Sequence, residues 1–148
     1  MSQRGGDVQS HLRISDKEVF SDLVPHGAAD MILSVEPMES LRYLPWLSMK
    51  GWIVTNSNPY INIPDYPPVE LILSEIRKIR NHRIVDADSL AREAGSPRSV
   101  NMVILGAASH YIDLPFSSLE NAVRKMFSKK GDDIIEINIK ALHAGRDS

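Results

Sequence analysis

Cysteine is absent from all 148 residues of this sequence. Without thiols the chain forms no disulfide, supplies no thiolate ligand to zinc or to an iron–sulfur cluster, and has no cysteine nucleophile. We therefore expect any cluster-based redox chemistry that the protein serves to take place on another chain.

The sequence also lacks a marked charge of one sign and a long apolar run. Its 17 Lys and Arg residues stand against 19 Asp and Glu residues, a formal net charge of -2, so there is no basic excess to drive binding to a phosphate backbone. No apolar run approaches the roughly 20 residues that span a bilayer, and the polar N-terminus has no signal-peptide core. We expect no nucleic acid, no membrane and a cytoplasmic location.

Signals for catalysis by the chain alone are missing as well. No two of its histidines, at positions 11, 26, 82, 110 and 143, lie at the i, i+3 or i, i+4 spacing of a helical metal site. The sequence has no G-x-S-x-G elbow to expose a nucleophilic serine. We predict no catalytic residue and no metal site, and a hydrolase that uses His11 or His110 is the least supported alternative.

Short apolar runs alternate with helical patterns along the chain. With 43% hydrophobic and 24% charged residues, the composition is typical of one globular domain over residues 1–148. The alternation predicts an α/β fold with a largely parallel sheet. The predicted strands are residues 8–14, 31–35, 52–55 and 84–85. One helix is predicted to start at Pro37, one to cover residues 69–79, and one to follow Asp88. Three more are predicted over residues 100–112, 118–130 and 132–145.

Glycines and acidic residues predict where several of these elements begin and end. Gly51 is expected to break the chain before the third strand, and Gly95 to end the helix that Asp88 caps. Asp132 or Asp133 offers an N-cap to the last helix. Gly106, together with Ala107, makes one helix face small, which predicts close contact with a neighbouring helix.

The stretch RGGDVQS, residues 4–10, is the best local candidate for ligand binding. Backbone N–H groups in a glycine turn, with Arg4 before Gly5 and Gly6 and with Ser10 after them, suit a phosphate or a carboxylate. A turn that leads into a strand requires glycine for conformational reasons alone. The stretch by itself leaves both interpretations open.

Three further features permit a functional and a structural interpretation. Asn56, Ser57 and Asn58 follow a predicted parallel strand, where α/β sheets bind ligands, but these residue types also favour turns. The basic run IRKIRNHR, residues 76–83, suits either an anionic partner or a solvated helix end. Asn101 begins an apolar helix, as a cap or as a ligand contact.

Five stretches of the chain, in the same order, resemble the gamma-type domain of the 2-oxoacid:ferredoxin oxidoreductases. They are MSQRGGDVQSHLRIS, ADMILSVEPMESLRYLP, KGWIVTNSNP, AREAGSPRSVNMVILGA and INIKALHAG. The QRGG form followed by Ser10 and His11 is most similar to the branch of the family that acts on indolepyruvate and other arylpyruvates.

This resemblance implies a three-layer α/β/α sandwich and a subunit of a thiamine-diphosphate enzyme. Such an enzyme oxidatively decarboxylates a 2-oxoacid, passes electrons through iron–sulfur clusters to ferredoxin, and traps the acyl group on coenzyme A. The resemblance assigns thiamine diphosphate and the clusters to a larger partner subunit, which leaves the isolated chain inactive. It places coenzyme A, as co-substrate, against Arg4, Gly5, Gly6, Val8, Ser10 and Asn101.

The chain differs from the family pattern at its start. The family domain opens with a G-x-G-G-Q-G strand, a helix and a second strand, and this sequence begins after them. We therefore expect an N-terminally truncated domain, through an internally assigned start, a fragment, or a shortened form whose first strand a partner supplies. The alternative function is a non-catalytic module that binds coenzyme A or assists assembly.

Overall fold

The computed structural model of the protein describes residues 9–61 and 63–148. Within these ranges none of the helices combines the length and the apolar composition that crossing a lipid bilayer requires. The strands are β1 (Ala29–Ser34), β2 (Leu47–Asn56) and β3 (His82–Val85). The helices are α1 (Pro37–Arg42), α2 (Val69–Arg77), α3 (Ala87–Glu93), α4 (Val100–Ala108), α5 (Phe116–Phe127) and α6 (Asp132–Asp147).

The three strands form one parallel sheet in the order β1-β2-β3. In the central strand Ile53 and Val54 are both fully buried, although successive side chains of a strand point to opposite faces. Both faces of the sheet are therefore covered, as is usual for parallel strands joined by helices. This arrangement confirms the predicted α/β fold with a parallel sheet.

Two separate hydrophobic clusters fill the space on either side of the sheet. Ile53 belongs to a cluster with Ile72 and Ile76 of α2, and Met38 of α1 packs against it. Val54 belongs to the other cluster, which α3, α4, α5 and α6 complete. The sheet thus lies between two helical layers, and the expected α/β/α sandwich is confirmed.

Helices α4 and α6 touch backbone to backbone at two glycines. A Cβ atom added to Gly106 would lie 1.9 Å from the carbonyl oxygen of Leu142, and one added to Gly145 would lie 1.9 Å from that of Val103. The prediction that Gly106 allows a close helix contact is confirmed. Its partner Gly145, near the end of α6, was not identified from the sequence.

Gly51 lies inside β2, so the prediction that it breaks the chain is wrong. Ala29 pairs with Leu47 and Met31 pairs with Trp52, so four residues of β2 lie opposite a single residue of β1. A Cβ atom at Gly51 would come within 2.7 Å of the carbonyl oxygen of Ala29. Glycine is required here because the irregular pairing brings the two backbones together.

The helix caps also differ from the predictions. Asp86, not Asp88, caps α3, and its Oδ1 atom accepts a hydrogen bond of 3.1 Å from the Ser89 N–H. Gly131, with φ of 93°, occupies the N-cap position of α6 in place of the predicted aspartate. Asp132 and Asp133 lie in the first turn of α6, where their negative charge suits the helix dipole. Gly95, with φ of 113°, follows α3 as predicted.

Residues 9–14 have no regular secondary structure, so the described part of the predicted strand 8–14 is wrong. Leu12 and Ile14 are 78% and 61% exposed. Arg13 donates a hydrogen bond of 2.7 Å to the carbonyl oxygen of Ser21, and His11 Nδ1 accepts one of 2.8 Å from the Val24 N–H. The alternating pattern describes side chains only, whereas a strand also needs a backbone partner.

We expect Gly106→Ala to lower the free energy of unfolding by about 3 kcal/mol, because the added methyl group overlaps the Leu142 carbonyl oxygen and forces the helices apart. Urea denaturation followed by circular dichroism measures the change. The matched control is Lys140→Ala at an exposed position of α6, which should change the free energy by less than about 0.5 kcal/mol. Equal stability of the two variants would contradict the backbone contact.

Candidate functional site

A cavity of about 230 Å³ lies at the carboxyl edge of the sheet. Ligands of open α/β sheets bind at this edge, because loops from several strands converge there. The residues around the cavity end or follow β1 and β2, or lie in the first turns of α3 and α4. They are Val35, Glu36, Asn56, Asn58, Pro59, Tyr60, Asp88 and Val100.

Asn56, the last residue of β2, joins the ends of two elements at this cavity. Its side chain is 3% exposed. The Oδ1 atom accepts a hydrogen bond of 3.1 Å from the Ala87 N–H, while Nδ2 donates to Asp88 Oδ2 at 2.7 Å and to the Asn58 carbonyl oxygen at 3.2 Å. Both ends of the amide are therefore occupied by protein groups, and Asn56 fixes the start of α3 against β2.

Asn58 links the loop after β2 to the N-cap of α3. Its Nδ2 atom donates a hydrogen bond of 2.8 Å to Asp86 Oδ1. The Ser89 backbone N–H and hydroxyl, followed by the Asn58 amide, hold the pKa of the Asp86 carboxyl below its ordinary value. The Ser57 N–H continues the strand ladder to the Val85 carbonyl oxygen at 2.8 Å. These contacts favour the structural interpretation of the three residues, two of which also line the cavity.

Glu36 also lines the cavity, and both oxygens of its carboxylate accept hydrogen bonds. Its Oε2 atom accepts a hydrogen bond of 2.8 Å from the Glu39 N–H and so caps α1, and its Oε1 atom accepts the Tyr66 hydroxyl. Burial, together with the adjacent Glu36 carboxylate, raises the pKa of Tyr66 above its ordinary value. Tyr66 thereby attaches the loop between β2 and α2 to the start of α1. The sequence signal for this cap is the acidic residue directly before Pro37.

The predicted coenzyme A residues are only partly covered by the structure. Arg4, Gly5, Gly6 and Val8 lie outside the described residues. Ser10 is exposed in a segment without regular structure. Asn101 is exposed in the first turn of α4, beside Val100, which lines the cavity. It does not cap that helix, since Ser99 occupies the N-cap position.

The histidines and the basic run have protein partners instead of a catalytic or anion-binding arrangement. His110 Nε2 contacts the Arg146 carbonyl oxygen at 2.8 Å, and in the described ranges no three His, Cys, Asp or Glu side chains form a cluster fit to hold a metal. Arg77 forms an ion pair with Glu70 at 3.6 Å. Lys78 forms one with Glu75, three residues earlier in the helix, at 2.5 Å. These pairs favour a solvated helix end for that part of the run.

Comparison with known proteins places the chain in a family. A sequence profile described as pyruvate ferredoxin/flavodoxin oxidoreductase matches residues 1–148. The chain belongs to this family. That membership confirms the resemblance seen in the five sequence stretches.

Two archaeal relatives carry the name indolepyruvate oxidoreductase subunit IorB. The one from Archaeoglobus fulgidus is 35% identical over 154 residues, which cover 98% of this chain and 74% of the relative. The one from Methanothermobacter thermautotrophicus is 34% identical over 152 residues, which cover 98% of this chain and 76% of the relative.

A solved structure shares the fold of this oxidoreductase-family chain. It is the 2-oxoglutarate:ferredoxin oxidoreductase from Magnetococcus marinus, which matches with a TM-score of 0.62 at 19% identity, over 90% of this chain and 21% of that one. At that level of identity, the likeness establishes the architecture.

For Asn56→Ala we expect the free energy of unfolding to fall by about 2 to 3 kcal/mol, because the buried Ala87 N–H and the Asp88 carboxylate lose their partners. Thermal and urea denaturation measure this loss. The control Asn58→Ala removes one exposed hydrogen bond and should cost about 1 kcal/mol or less. The interpretation fails if both variants lose the same amount.

Tyr66→Phe should cost about 1 kcal/mol of unfolding free energy near neutral pH, where the phenol donates to Glu36. Because the folded pKa is raised, this stabilisation is fully present below the unfolded pKa of about 10 and is lost as the pH rises through the folded pKa. Urea denaturation at neutral pH and at pH ~11 should therefore give a smaller difference from the wild type at the higher pH.

Tyr60→Phe is the matched control, since the Tyr60 side chain is exposed. Its effect should be small and the same at both pH values. A Tyr66→Phe difference that grows with pH would show that the hydroxyl does not donate to a carboxylate.

Proposed function

We propose that this chain is the smaller subunit of an indolepyruvate (arylpyruvate):ferredoxin oxidoreductase. The reaction converts a 2-oxoacid and coenzyme A to acyl-CoA and carbon dioxide, with the two electrons passed to ferredoxin. The observation that carries the proposal is sequence identity of about 35% to proteins named indolepyruvate oxidoreductase subunit IorB, over nearly the whole chain and about three quarters of theirs.

The reacting cofactors belong to the larger partner subunit in this proposal. Thiamine diphosphate, when bound there, stabilises the carbanion left by decarboxylation, and iron–sulfur clusters carry the electrons onward. The donor set of this chain does not fit a cluster, because it contains no cysteine. Ferredoxin is a partner of the complex, and this chain meets it only through the larger subunit.

The role of this chain is to hold coenzyme A beside the reacting centre. Glycine amides and an arginine suit a pyrophosphate, which supports Arg4, Gly5, Gly6, Val8 and Ser10 as one part of the site. Asn101 supports the other part, because its exposed side chain lies in the first turn of α4, one residue after Val100, which lines the cavity at the sheet edge. The solved relative from Magnetococcus marinus has coenzyme A and succinyl-CoA bound.

The cavity walls give this role a rigid support. Asn56 ties β2 to α3, and the Tyr66 bond to Glu36 ties the loop after β2 to α1. Loops fixed in this way hold a bound thioester in one position relative to the partner subunit. We also propose that residues 1–148 act as one gamma-type domain and that the complex works in the cytoplasm.

The test is reconstitution of the full chain with the larger, cluster-bearing subunit. We expect the two subunits to co-purify. With indolepyruvate and coenzyme A supplied, a viologen dye should be reduced only when both subunits are present. Asn101→Ala in the complex should raise the KM for coenzyme A about tenfold through a lost hydrogen bond, with an unchanged KM for indolepyruvate. Lys140→Ala, on an exposed position of α6, is the control and should change neither constant.

Dye reduction by the isolated chain would overturn the assignment of the chemistry to the partner. Coenzyme A binding to the chain in calorimetry, combined with an inactive complex, would favour the non-catalytic module instead. An unchanged KM for coenzyme A would remove Asn101 from the site.

A further inference from the structure

The cavity at the carboxyl edge of the sheet is lined by negative charge. Glu36 and Asp88 contribute carboxylates, and no lysine, arginine or histidine is among the described residues that line it. The groups bonded to the Glu36 carboxylate are uncharged, the Tyr66 hydroxyl and the Glu39 N–H. Because like charges repel and no cation in the lining offsets these two, the cavity disfavours a phosphate and suits an uncharged part of a ligand.

Tyr60 adds an aromatic ring beside these carboxylates. It lines the cavity and is 75% exposed. The other three of the four tyrosines have partners in the protein, since two have their rings against tryptophans and Tyr66 donates its hydroxyl to Glu36. Within residues 9–61 and 63–148 no partner of this kind contacts Tyr60. An exposed aromatic ring of this kind stacks readily on the flat ring of a base.

The Asp88 carboxylate determines which kind of polar atom a ligand has to bring. Its Oδ2 atom accepts a hydrogen bond of 2.7 Å from Asn56 Nδ2, and no described residue donates to its Oδ1 atom. An ionised carboxylate accepts several hydrogen bonds and donates none. A ligand atom that meets Asp88 is therefore a donor. The exocyclic amine of adenine is such a donor, whereas hypoxanthine has a carbonyl oxygen at the same position.

We propose that this cavity binds the adenine ring of coenzyme A, stacked on Tyr60 and with its exocyclic amine donating to the Asp88 carboxylate. The inference rests on the proposed function, which makes coenzyme A the co-substrate. The acidic lining keeps the diphosphate outside the cavity, and the apolar side chains of Val35 and Val100 suit an uncharged purine. The pantetheine arm of coenzyme A also has N–H donors, but it has no ring to stack on Tyr60.

The test compares coenzyme A with two analogues in the complex reconstituted with the larger subunit. One analogue carries hypoxanthine in place of adenine. The other is etheno-coenzyme A, whose additional ring enlarges the stacking surface but removes the N–H donors. In the indolepyruvate-dependent dye assay we expect the KM for each analogue to be about tenfold higher than for coenzyme A, with an unchanged KM for indolepyruvate.

Asp88→Asn should reverse the preference between the two bases. The new side-chain amide keeps an oxygen for the Asn56 bond and turns a donor toward the ligand. The KM should therefore rise about tenfold for coenzyme A and fall about tenfold for the hypoxanthine analogue. A purely structural role of Asp88 would change both KM values in the same direction or leave both unchanged, and would contradict the inference.

Tyr60→Leu removes the stacking surface and should raise the KM for coenzyme A about tenfold. Tyr60→Phe keeps the ring and should recover most of that loss. The matched control is Phe20→Leu, which changes another exposed aromatic side chain, 87% exposed, that does not line the cavity. It should leave the KM for coenzyme A within about a factor of two.

Failure of this inference is distinct from failure of the proposed function. An active complex with the same KM for coenzyme A and its hypoxanthine analogue, or with an unchanged KM in Tyr60→Leu, would overturn the adenine site and leave the proposed function standing. An active complex that uses phosphopantetheine with the KM of coenzyme A would also overturn the adenine site. A complex that is inactive with both subunits present would overturn the proposed function and this inference together.

Discussion

The backbone contact between α4 and α6 is the constraint on which the larger half of the molecule depends. At Gly106 and Gly145 the helices approach so closely that a single methyl group on either one would overlap a carbonyl oxygen of the other. That approach buries Val103 and Leu142 completely and closes the cluster beneath Val54 of the central strand. Because α4 is held so tightly, its first turn, with Val100 and Asn101, has a fixed position beside the sheet edge.

The carboxyl edge of the sheet is stabilised by polar side chains, in contrast to this apolar contact. Asn56 and Glu36 each use both ends of their side chains on the protein itself. A buried amide with all its hydrogen bonds made is rigid, since each bond would leave an unpaired group if it broke. The cavity thus has walls fixed by internal hydrogen bonds, and Asn101 is exposed one residue after Val100, which lines the cavity.

The division of labour proposed for the complex agrees with these properties. A chain without cysteine cannot hold a cluster. What it offers is a sheet edge with a cavity whose walls are fixed by hydrogen bonds. This feature suits the proposed role of a subunit that positions a co-substrate, and the membership of the pyruvate ferredoxin/flavodoxin oxidoreductase family is consistent with that role.

The sequence by itself determined most of the elements, because apolar runs and helical or strand periodicity are local properties of a chain, and five stretches in the same order carried the resemblance to the family. The parallel strands near Met31 and Trp52, the helix that starts at Pro37 and the small face at Gly106 were all predicted correctly. Only the tertiary structure decided which groups pair across long distances. It assigned the cap of α3 to Asp86, placed Gly51 inside a strand, and joined Tyr66 to Glu36, which lies 30 residues away. It also left residues 9–14 outside the sheet. A long-range hydrogen bond joins two residues that are distant in the sequence, so the local sequence around one of them does not identify the other.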